Sequence, residues 1–412
     1  MRIHIHTDCE YFAGCEQIIA DVLTAEHLCA VHEISLSFRT SPRYLDGLPT
    51  KIKKNAKIYP IKILTVIYPT DKSQFFSRRL LVAIRVLSQY FLGPFYFVVG
   101  FFRIIKVLRI VSPDVIYINN GGYPGSRSAR AAALSARVIG IKTVIMRVHN
   151  FAIPYNKILR IYEYLLDQIV KKCVTKFICG SYSSAEQLSN VLRLNQNKIQ
   201  VIYNGVPRSH APDEPFCNLR KSLLIKPEVI LVGAVGALEE RKGIDNLFEA
   251  LFQLSQSKNE VFKKVFVVVI GTGPDQQYLE MKLRSLGLND VVRLIGHQHN
   301  APQLIAELDI LIVPSTREED TPNVIYEAMM FGVPVIASNI GGISEQIEHE
   351  VSGILVRPGH LHEIQEALEK MVLNEQLRAQ YGKEAEERFR RMYSVDLAIE
   401  KHLELFESLG VS

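Results

Sequence analysis

Apolar residues in this chain fall into short, β-rich runs separated by longer amphipathic stretches. In the first half the runs are Ile3–Thr7, Ile34–Phe38, Ile58–Leu64, Val115–Asn119, Thr143–Val148 and Phe177–Cys179. In the second half they are Val229–Val235, Val265–Ile270, Val291–Ile295, Ile310–Val313, Pro334–Ala337 and Gly353–Val356. Helix-length segments such as Ile244–Leu254 and Asp275–Leu286 lie between them. Strands alternating with helices predict an α/β protein with two parallel sheets, each covered on both faces. Ligands of such sheets bind beyond the carboxyl ends of the strands, so the active site is expected in the cleft between two domains. The boundaries read as a first domain over 1–206, a linker over 207–227 and a second domain over 228–392. Pro207, Pro212, Pro215 and Pro227 mark the linker. In the last stretch Leu397, Ile399, Leu403, Leu405 and Phe406 follow a roughly helical repeat.

Residues 75–109 break the alternation. Phe75, Phe76, Phe91, Phe95, Tyr96, Phe97, Phe101 and Phe102 interleave with Arg78, Arg79, Arg85, Arg103, Lys106 and Arg109, and the segment contains no acid. The uncharged run 86–102 is shorter than the ~20 residues a spanning helix needs, and Gly93-Pro94 is expected to break it. Two readings follow: helices buried against the first sheet, or a basic aromatic surface lying on anionic lipid. Lys51, Lys53, Lys54 and Lys57 add nearby charge, so an anionic membrane surface contacted through residues 51–109 is the favoured expectation.

Length changes the picture little, since 412 residues suit two domains. Charge changes it more. Residues 1–206 hold 27 Lys and Arg against 12 Asp and Glu, a net of +15, whereas the remainder holds 21 against 31, a net of −10. Such asymmetry points to a directional contact with something anionic, or to two domains with differently solvated surfaces. Six cysteines without a C-x-x-C pair fit reduced thiols in a cytosol better than a disulfide framework or a zinc site. The opening MRIHIHTD alternates like a strand and lacks the apolar core of a signal peptide. The expected location is cytoplasmic, peripheral on the inner face of a membrane, with no nucleic-acid partner.

Candidate chemistry concentrates in Glu319-Asp-Thr-Pro-Asn-Val-Ile-Tyr-Glu327, followed by AMMFGVPVIAS. A buried strand, Ile310–Val313, leads into a polar loop at Glu318–Pro322, and a helix begins near Asn323, a good cap residue. Free backbone amides of Val324 and Ile325, with the positive end of the helix, suit a diphosphate. Glu319 above that site and Glu327 one turn into the helix are placed to accept hydrogen bonds from vicinal diols. The plain alternative is a solvent-facing acidic loop followed by an ordinary helical glutamate.

This segment, with Gly341-Gly342-Ile-Ser-Glu345 after it, resembles the signature of the family 4 glycosyltransferases, which have the GT-B fold of two facing doubly wound Rossmann-like domains. Further landmarks lie in order along the chain: Ala13-Gly14-Cys15-Glu16, Pro113-Asp-Val-Ile-Tyr117, Val148-His149-Asn150, Ile202-Tyr-Asn204-Gly205-Val206, Lys242-Gly243 and Gly271-Thr-Gly273-Pro274. The resemblance implies that Glu319 contacts hydroxyls of the donor sugar and Glu327 holds the donor ribose. It also implies that Lys242 binds the diphosphate and that Gly14 lets the first-domain backbone approach the same phosphates. His149 is placed near the transferred sugar, with a core histidine as the competing reading. The base is expected to be read by backbone around Gly296–Gln298, with His297 among the donor-binding residues. Asn323, Val324 and Ile325 complete the phosphate site, and the last helix, about 393–412, is expected to cross back onto the first domain.

One departure stands out. The family pattern has an Arg five residues before this Lys, whereas the chain has Gly236-Ala237-Leu238. Arg241 is then either a substitute for that guanidinium or a solvated surface charge. No D-x-D pair is present, and His4 and His6 lack a third ligand at metal spacing, so neither metal nor cofactor is expected beyond the nucleotide sugar itself. The implied reaction is a retaining, metal-independent transfer of a sugar onto a saccharide or lipid-linked saccharide, of the kind that builds cell-surface polysaccharide or glycolipid. A nicotinamide dehydrogenase is disfavoured, because Gly233-Ala-Val-Gly236 and Gly271-Thr-Gly273 both miss the G-x-G-x-x-G spacing. A nucleotide-sugar epimerase of the same fold and a catalytically inactive relative that binds lipid or partners remain as alternatives.

Overall fold

A computed structural model describes residues 1–9, 12, 16–17, 20–21, 25–63, 78–156, 158–207, 219–257, 260–317 and 319–410, without the side chains of His27, Lys51, residues 78–90, Ile158 and Leu159. Two compact units divide the chain. The first comprises Met1–Cys179, Ala185–Ile202 and Ile399–Ser412, and the second Gly180–Ser184 and Tyr203–Ala398. Of the proline-rich stretch, residues 208–218 lie outside the described residues, and Leu219 is buried in the core of the second unit.

The first unit carries seven parallel strands: β1 (Arg2–Thr7), β2 (Glu33–Arg39), β3 (Lys57–Ile61), β4 (Val115–Asn120), β5 (Thr143–Val148), β6 (Lys176–Cys179) and β7 (Ile199–Val201). Their order is β3-β2-β1-β4-β5-β6-β7, with Ile5 facing Leu36 on one side and Tyr117 on the other. The second unit carries β8 (Ile230–Val235), β9 (Val265–Ile270), β10 (Val292–Leu294), β11 (Ile310–Val313), β12 (Val335–Ser338) and β13 (Gly353–Val356), ordered β10-β9-β8-β11-β12-β13. Both sheets are doubly wound, and the order reverses between β1 and β4 and between β8 and β11.

The strands β8, β9, β11 and β12 are largely apolar because both faces are covered, whereas β1, β2 and β4 carry buried polar residues such as His4, Ser35 and Asn119. Val232, Val267 and Ile312 point into one core of the second unit, and their neighbours Leu231, Val268 and Leu311 into the other, as the two-residue period requires. Helix Ile244–Gln256 buries Ile244, Leu247, Phe248, Leu251 and Leu254, one stripe at helical spacing. Helix Val395–Ser408 ends within the first unit, where His402 Nε2 lies 3.1 Å from Tyr117 Oη on β4.

One expectation fails here. Gly93-Pro94 does not break the apolar segment, because a single helix runs over Arg78–Val111 with Pro94 inside it. The missing proline N–H costs one bond of the ladder, while packing against helix Arg127–Val138 holds the rest. Gly93 serves that packing, since a Cβ there would lie 2.8 Å from Arg127 Nη2. His4 and His6 are core residues: His4 bonds Ser35 and Ser37 at 2.8 Å each, and His6 bonds Ser37 at 2.9 Å and Ser128 at 3.2 Å. Burial holds both imidazoles neutral, with pKa values lowered to about 3 and about 4.

Candidate functional site

In the second unit the loops after β8 and β11 meet at the point where strand order reverses. After β8 the chain passes Gly236, Ala237 and Leu238 and makes a single 3₁₀ turn over Glu240–Lys242. Gly243 then takes a left-handed φ of 65° before helix Ile244–Gln256. No other residue fits, because a Cβ there would stand 2.0 Å from the Pro314 carbonyl oxygen. Thr316 N–H donates to the Arg241 carbonyl at 2.8 Å, so the two loops are tied backbone to backbone.

That tie delivers cations to Glu319. Its carboxylate is buried, with 7% of the residue exposed, and Lys242 Nζ bonds its Oε1. Arg241 Nη1 lies 3.4 Å from the same oxygen, and Ser315 Oγ donates to Oε2 at 2.7 Å. Burial alone would raise the Glu319 pKa, but Lys242, Ser315 and Arg241 outweigh it and hold the carboxyl below its ordinary value. The solvent-facing acidic loop is therefore excluded for Glu319, Asp320 and Thr321, all of which are buried. Arg241 is likewise no free surface charge, since its Nε also bonds Glu239 at 2.8 Å. Ser315, which no motif singles out, is the third group on Glu319.

Helix Asn323–Met330 begins directly after this loop. The capping position is Pro322 rather than Asn323, and no side chain caps the turn. Asn323 is the first helical residue and turns its side chain to Asn204, whose Nδ2 lies 3.4 Å from Asn323 Oδ1. Ile325 N–H is not available to a ligand, because it donates to the Pro322 carbonyl at 3.1 Å. The amides of Asn323 and Val324 have no backbone acceptor among the described residues. One turn on, Glu327 is partly buried, and among the described residues its carboxylate has no hydrogen-bond or ion-pair partner. Burial pushes its pKa up to about 7. His297 is exposed on the loop after β10, with its ring 4.9 Å from that of His299, edge to face.

Comparison with known proteins settles the family. Residues 64–210 match the family described as Glycosyltransferase Family 4, and residues 216–388 match Glycosyl transferases group 1. The chain belongs to the family 4 glycosyltransferases. It is similar to an uncharacterized glycosyltransferase of Methanocaldococcus jannaschii, 30% identical over 44% of this chain and 46% of that one. It is also similar to the UDP-Gal:alpha-D-GlcNAc-diphosphoundecaprenol alpha-1,3-galactosyltransferase of Escherichia coli, 27% identical over 61% and 64% of the two chains. The matched stretches thus span from about half to just under two-thirds of these curated relatives. Among solved structures it resembles Anabaena HepE in complex with UDP and glucose, with a TM-score of 0.74 and 20% identity over 99% of this chain and 100% of that one. The fold is the GT-B arrangement of two Rossmann-like domains.

In this glycosyltransferase the first unit holds the remaining candidates. Gly14 lies outside the described residues. His149, at the end of β5, is buried beside Asn119, with Nε2 2.6 Å from Asn119 Oδ1. Burial, and then Arg147, lower its pKa well below the ordinary value, so the ring is neutral. Asn119 in turn donates through Nδ2 to Glu16, which also accepts from Thr7 Oγ1. Glu16 and Asn119 are invisible to sequence reasoning as a support for His149. The only hint is that Asn119 ends the run before it.

Proposed function

We propose that this family 4 glycosyltransferase transfers a sugar from a nucleotide diphosphate sugar to a saccharide or lipid-linked saccharide acceptor, retaining anomeric configuration and needing no metal. The observation that carries the reading is the convergence of Lys242 and Arg241 on the Glu319 carboxylate, a few residues before a helix whose Asn323 and Val324 amides have no backbone acceptor among the described residues. A diphosphate offers the two cations an anion of its own and releases Glu319 to accept hydrogen bonds from the sugar hydroxyls. Glu327, unpartnered among the described residues and partly buried, is then placed to accept from the ribose diol.

In the proposed step the acceptor oxygen bonds to the anomeric carbon from the face that the leaving group vacates. The bond from that carbon to the diphosphate oxygen breaks. The acceptor proton passes to the departing phosphate oxygen, and Lys242, Arg241 and the helix-end amides meet the charge that develops there. HepE is named as a complex with UDP and glucose, and the E. coli relative as acting on a diphosphoundecaprenol-linked sugar; both names support a UDP-sugar donor and a lipid-linked acceptor here.

On the same reading the protein lies at the cytoplasmic face of a membrane, contacting anionic lipid through residues 51–109. Within that range Lys53 and Lys54 are exposed, whereas Lys57 is paired with Glu33. By length and composition alone Phe91–Val111 is apolar enough to cross a membrane, with a mean hydropathy of 1.7 and 28% of it buried. Its Ile104 and Leu108 are buried in the first-unit core, which favours a helix lying along the domain over one spanning a bilayer.

Thermal shifts with a panel of UDP-, GDP-, ADP- and CMP-sugars, followed by NMR of the transferred sugar's anomeric centre, test this reading. One donor that stabilises the fold and gives a product of unchanged configuration supports it. No stabilisation by any donor contradicts it, and an inverted product contradicts the retaining step.

A further inference from the structure

Three helices cover one face of the first sheet: the described part of Arg78–Val111, then Arg127–Val138, then Ile158–Cys173. The middle one is almost wholly buried, and the outer two pack on either side of it. Each outer helix would normally face water with polar residues. Neither does. On the first, Phe91, Phe95, Val98 and Phe102 stand exposed at spacings of four, three and four, with Phe91 at 76%. On the second, Ile161, Leu165 and Ile169 stand exposed four residues apart, with Leu165 at 73%. Each stripe ends in cations, Lys106 and Arg109 on one and Lys172 on the other, all exposed.

The acids explain how the second helix comes to be one-sided. Across these three helices the only carboxylates are Glu163 and Asp167. Both are turned inward. Arg130 Nη2 bonds Glu163 at 2.7 Å and Arg130 Nη1 lies 3.3 Å from Asp167, while Arg160 Nη1 bonds each acid at 2.8 Å. Tyr155 Oη donates to Asp167 at 2.7 Å, and the Arg160 guanidinium lies 4.5 Å from the Tyr155 ring centre. The network satisfies every acid that could have made the outer face anionic, and leaves that face to aliphatic, aromatic and basic groups.

We propose that helix Ile158–Cys173 is a second membrane-docking element, which inserts Ile161, Leu165 and Ile169 among the acyl chains of an anionic bilayer while Lys172 meets the headgroups. The proposal rests on the membrane reading given above and extends it to a helix outside residues 51–109. Charge selects the occupant. A second copy docking through the same surface would offer Lys106, Arg109 and Lys172 no counter-charge, because Glu163 and Asp167, the only carboxylates of these helices, are already paired with Arg130 and Arg160. An anionic lipid surface satisfies both the apolar stripe and its cations.

The chain contains no tryptophan, so one introduced in place of Leu165 is a clean reporter. The whole 412-residue chain carrying Leu165→Trp is mixed with vesicles of phosphatidylcholine and phosphatidylglycerol, and with phosphatidylcholine alone. Flotation is compared among wild type, the Leu165→Ser/Ile169→Ser double variant and Met281→Ser, an exposed control in the second unit. The expected result is a blue-shifted indole emission from Leu165→Trp with anionic vesicles only, and partitioning that falls about tenfold or more in the double variant but not in the control. All three variants change exposed side chains, and unchanged melting curves establish that they fold. Wild type and double variant floating equally, with the introduced indole still in water, would overturn this proposal and leave the 51–109 contact standing. A wild type that does not float at all would overturn both. A blue shift that grows with protein concentration in the absence of vesicles would assign the helix to a protein contact instead.

Discussion

The imidazole of His149 and the carboxamide of Asn119 meet through Nε2 and Oδ1, 2.6 Å apart. The direction of this bond is set one residue further back. Burial raises the Glu16 pKa while Thr7 and Asn119, which donate to it, oppose that rise; in its ionised form Glu16 only accepts, which turns the Asn119 amide nitrogen toward Glu16 and its oxygen toward His149. His149 then carries its proton on Nε2 and keeps Nδ1 as an acceptor.

That chain makes Glu16 the determinant of a tautomer. In Glu16→Gln the new amide can donate to Asn119 Oδ1, which lets Asn119 turn over and the His149 proton move to Nδ1. Nitrogen-15 shifts of the imidazole should report Nε2–H in wild type and a shift toward Nδ1–H in the variant. Loss of one such bond should lower kcat/KM about fivefold to tenfold. The same tautomer in both proteins would show that Asn119 is not held by Glu16.

Lys242 and Glu319 form an ion pair whose members are 13% and 9% exposed. Among the described residues Lys242→Met leaves the buried carboxylate with Ser315 and Arg241, and should cost about 3 kcal/mol, the lower end of the range for breaking a buried pair. The double variant Lys242→Met/Glu319→Gln should recover most of that loss in urea unfolding. Because the Glu319 pKa is lowered on folding, its contribution is present above the ordinary carboxyl value of 4.5 and is lost as pH falls through the folded value. Equal destabilisation of single and double variants would mean that the pair contributes nothing.

Glu327 runs the other way. Its pKa is raised from 4.5 to about 7, so its own contribution to the stability of the free protein is fully present below 4.5 and is lost as pH rises through about 7. The whole decline is about 3 kcal/mol. Glu327→Gln should flatten it. A ribose diol donates hydrogen bonds and favours the carboxylate, so donor binding should release a proton near neutral pH and tighten as pH rises toward about 8. Calorimetry in buffers of different ionisation enthalpy measures that proton directly, and none released would remove Glu327 from the ribose site.

Arg241 reaches Glu319 from beside Lys242, while Ala237 is exposed on the loop after β8. If Arg241 supplies the guanidinium that Ala237 cannot, Arg241→Ala should weaken nucleotide diphosphate binding about tenfold or more. Adding Ala237→Arg should restore part of it. Equal affinity in wild type and Arg241→Ala would assign the phosphate to Lys242 and the helix amides alone.

Much of this is legible in the sequence, and the reasons it is or is not are local. The strands β5, β9, β11 and β13 are read to the residue because burial on both faces makes each a mainly apolar run, unbroken in β9 and β11. The edge strand β7, Ile199–Val201, is too short to show a pattern. Pro94 misleads because a proline is a local signal, whereas the packing that carries the helix past it is tertiary. The site divides in the same way. Glu319, Lys242 and Glu327 stand out by position in a motif, but the contact between residues 77 apart that pairs Lys242 with Glu319 depends on the meeting of two strand ends. The loss of the Ile325 amide to Pro322 is a matter of turn geometry, and the Glu16–Asn119–His149 chain joins three elements that no spacing connects.

The central claim is that the Lys242–Glu319 cluster engages a nucleotide diphosphate sugar and activates it without metal. Nucleotide release from a panel of sugar nucleotides, followed by chromatography in the presence of chelator for wild type and Glu319→Ala, tests it most directly. Slow release from one donor by wild type is expected, unaffected by chelator, with a loss of at least about a hundredfold in Glu319→Ala. Release that survives in Glu319→Ala, or that disappears with chelator in wild type, would contradict it.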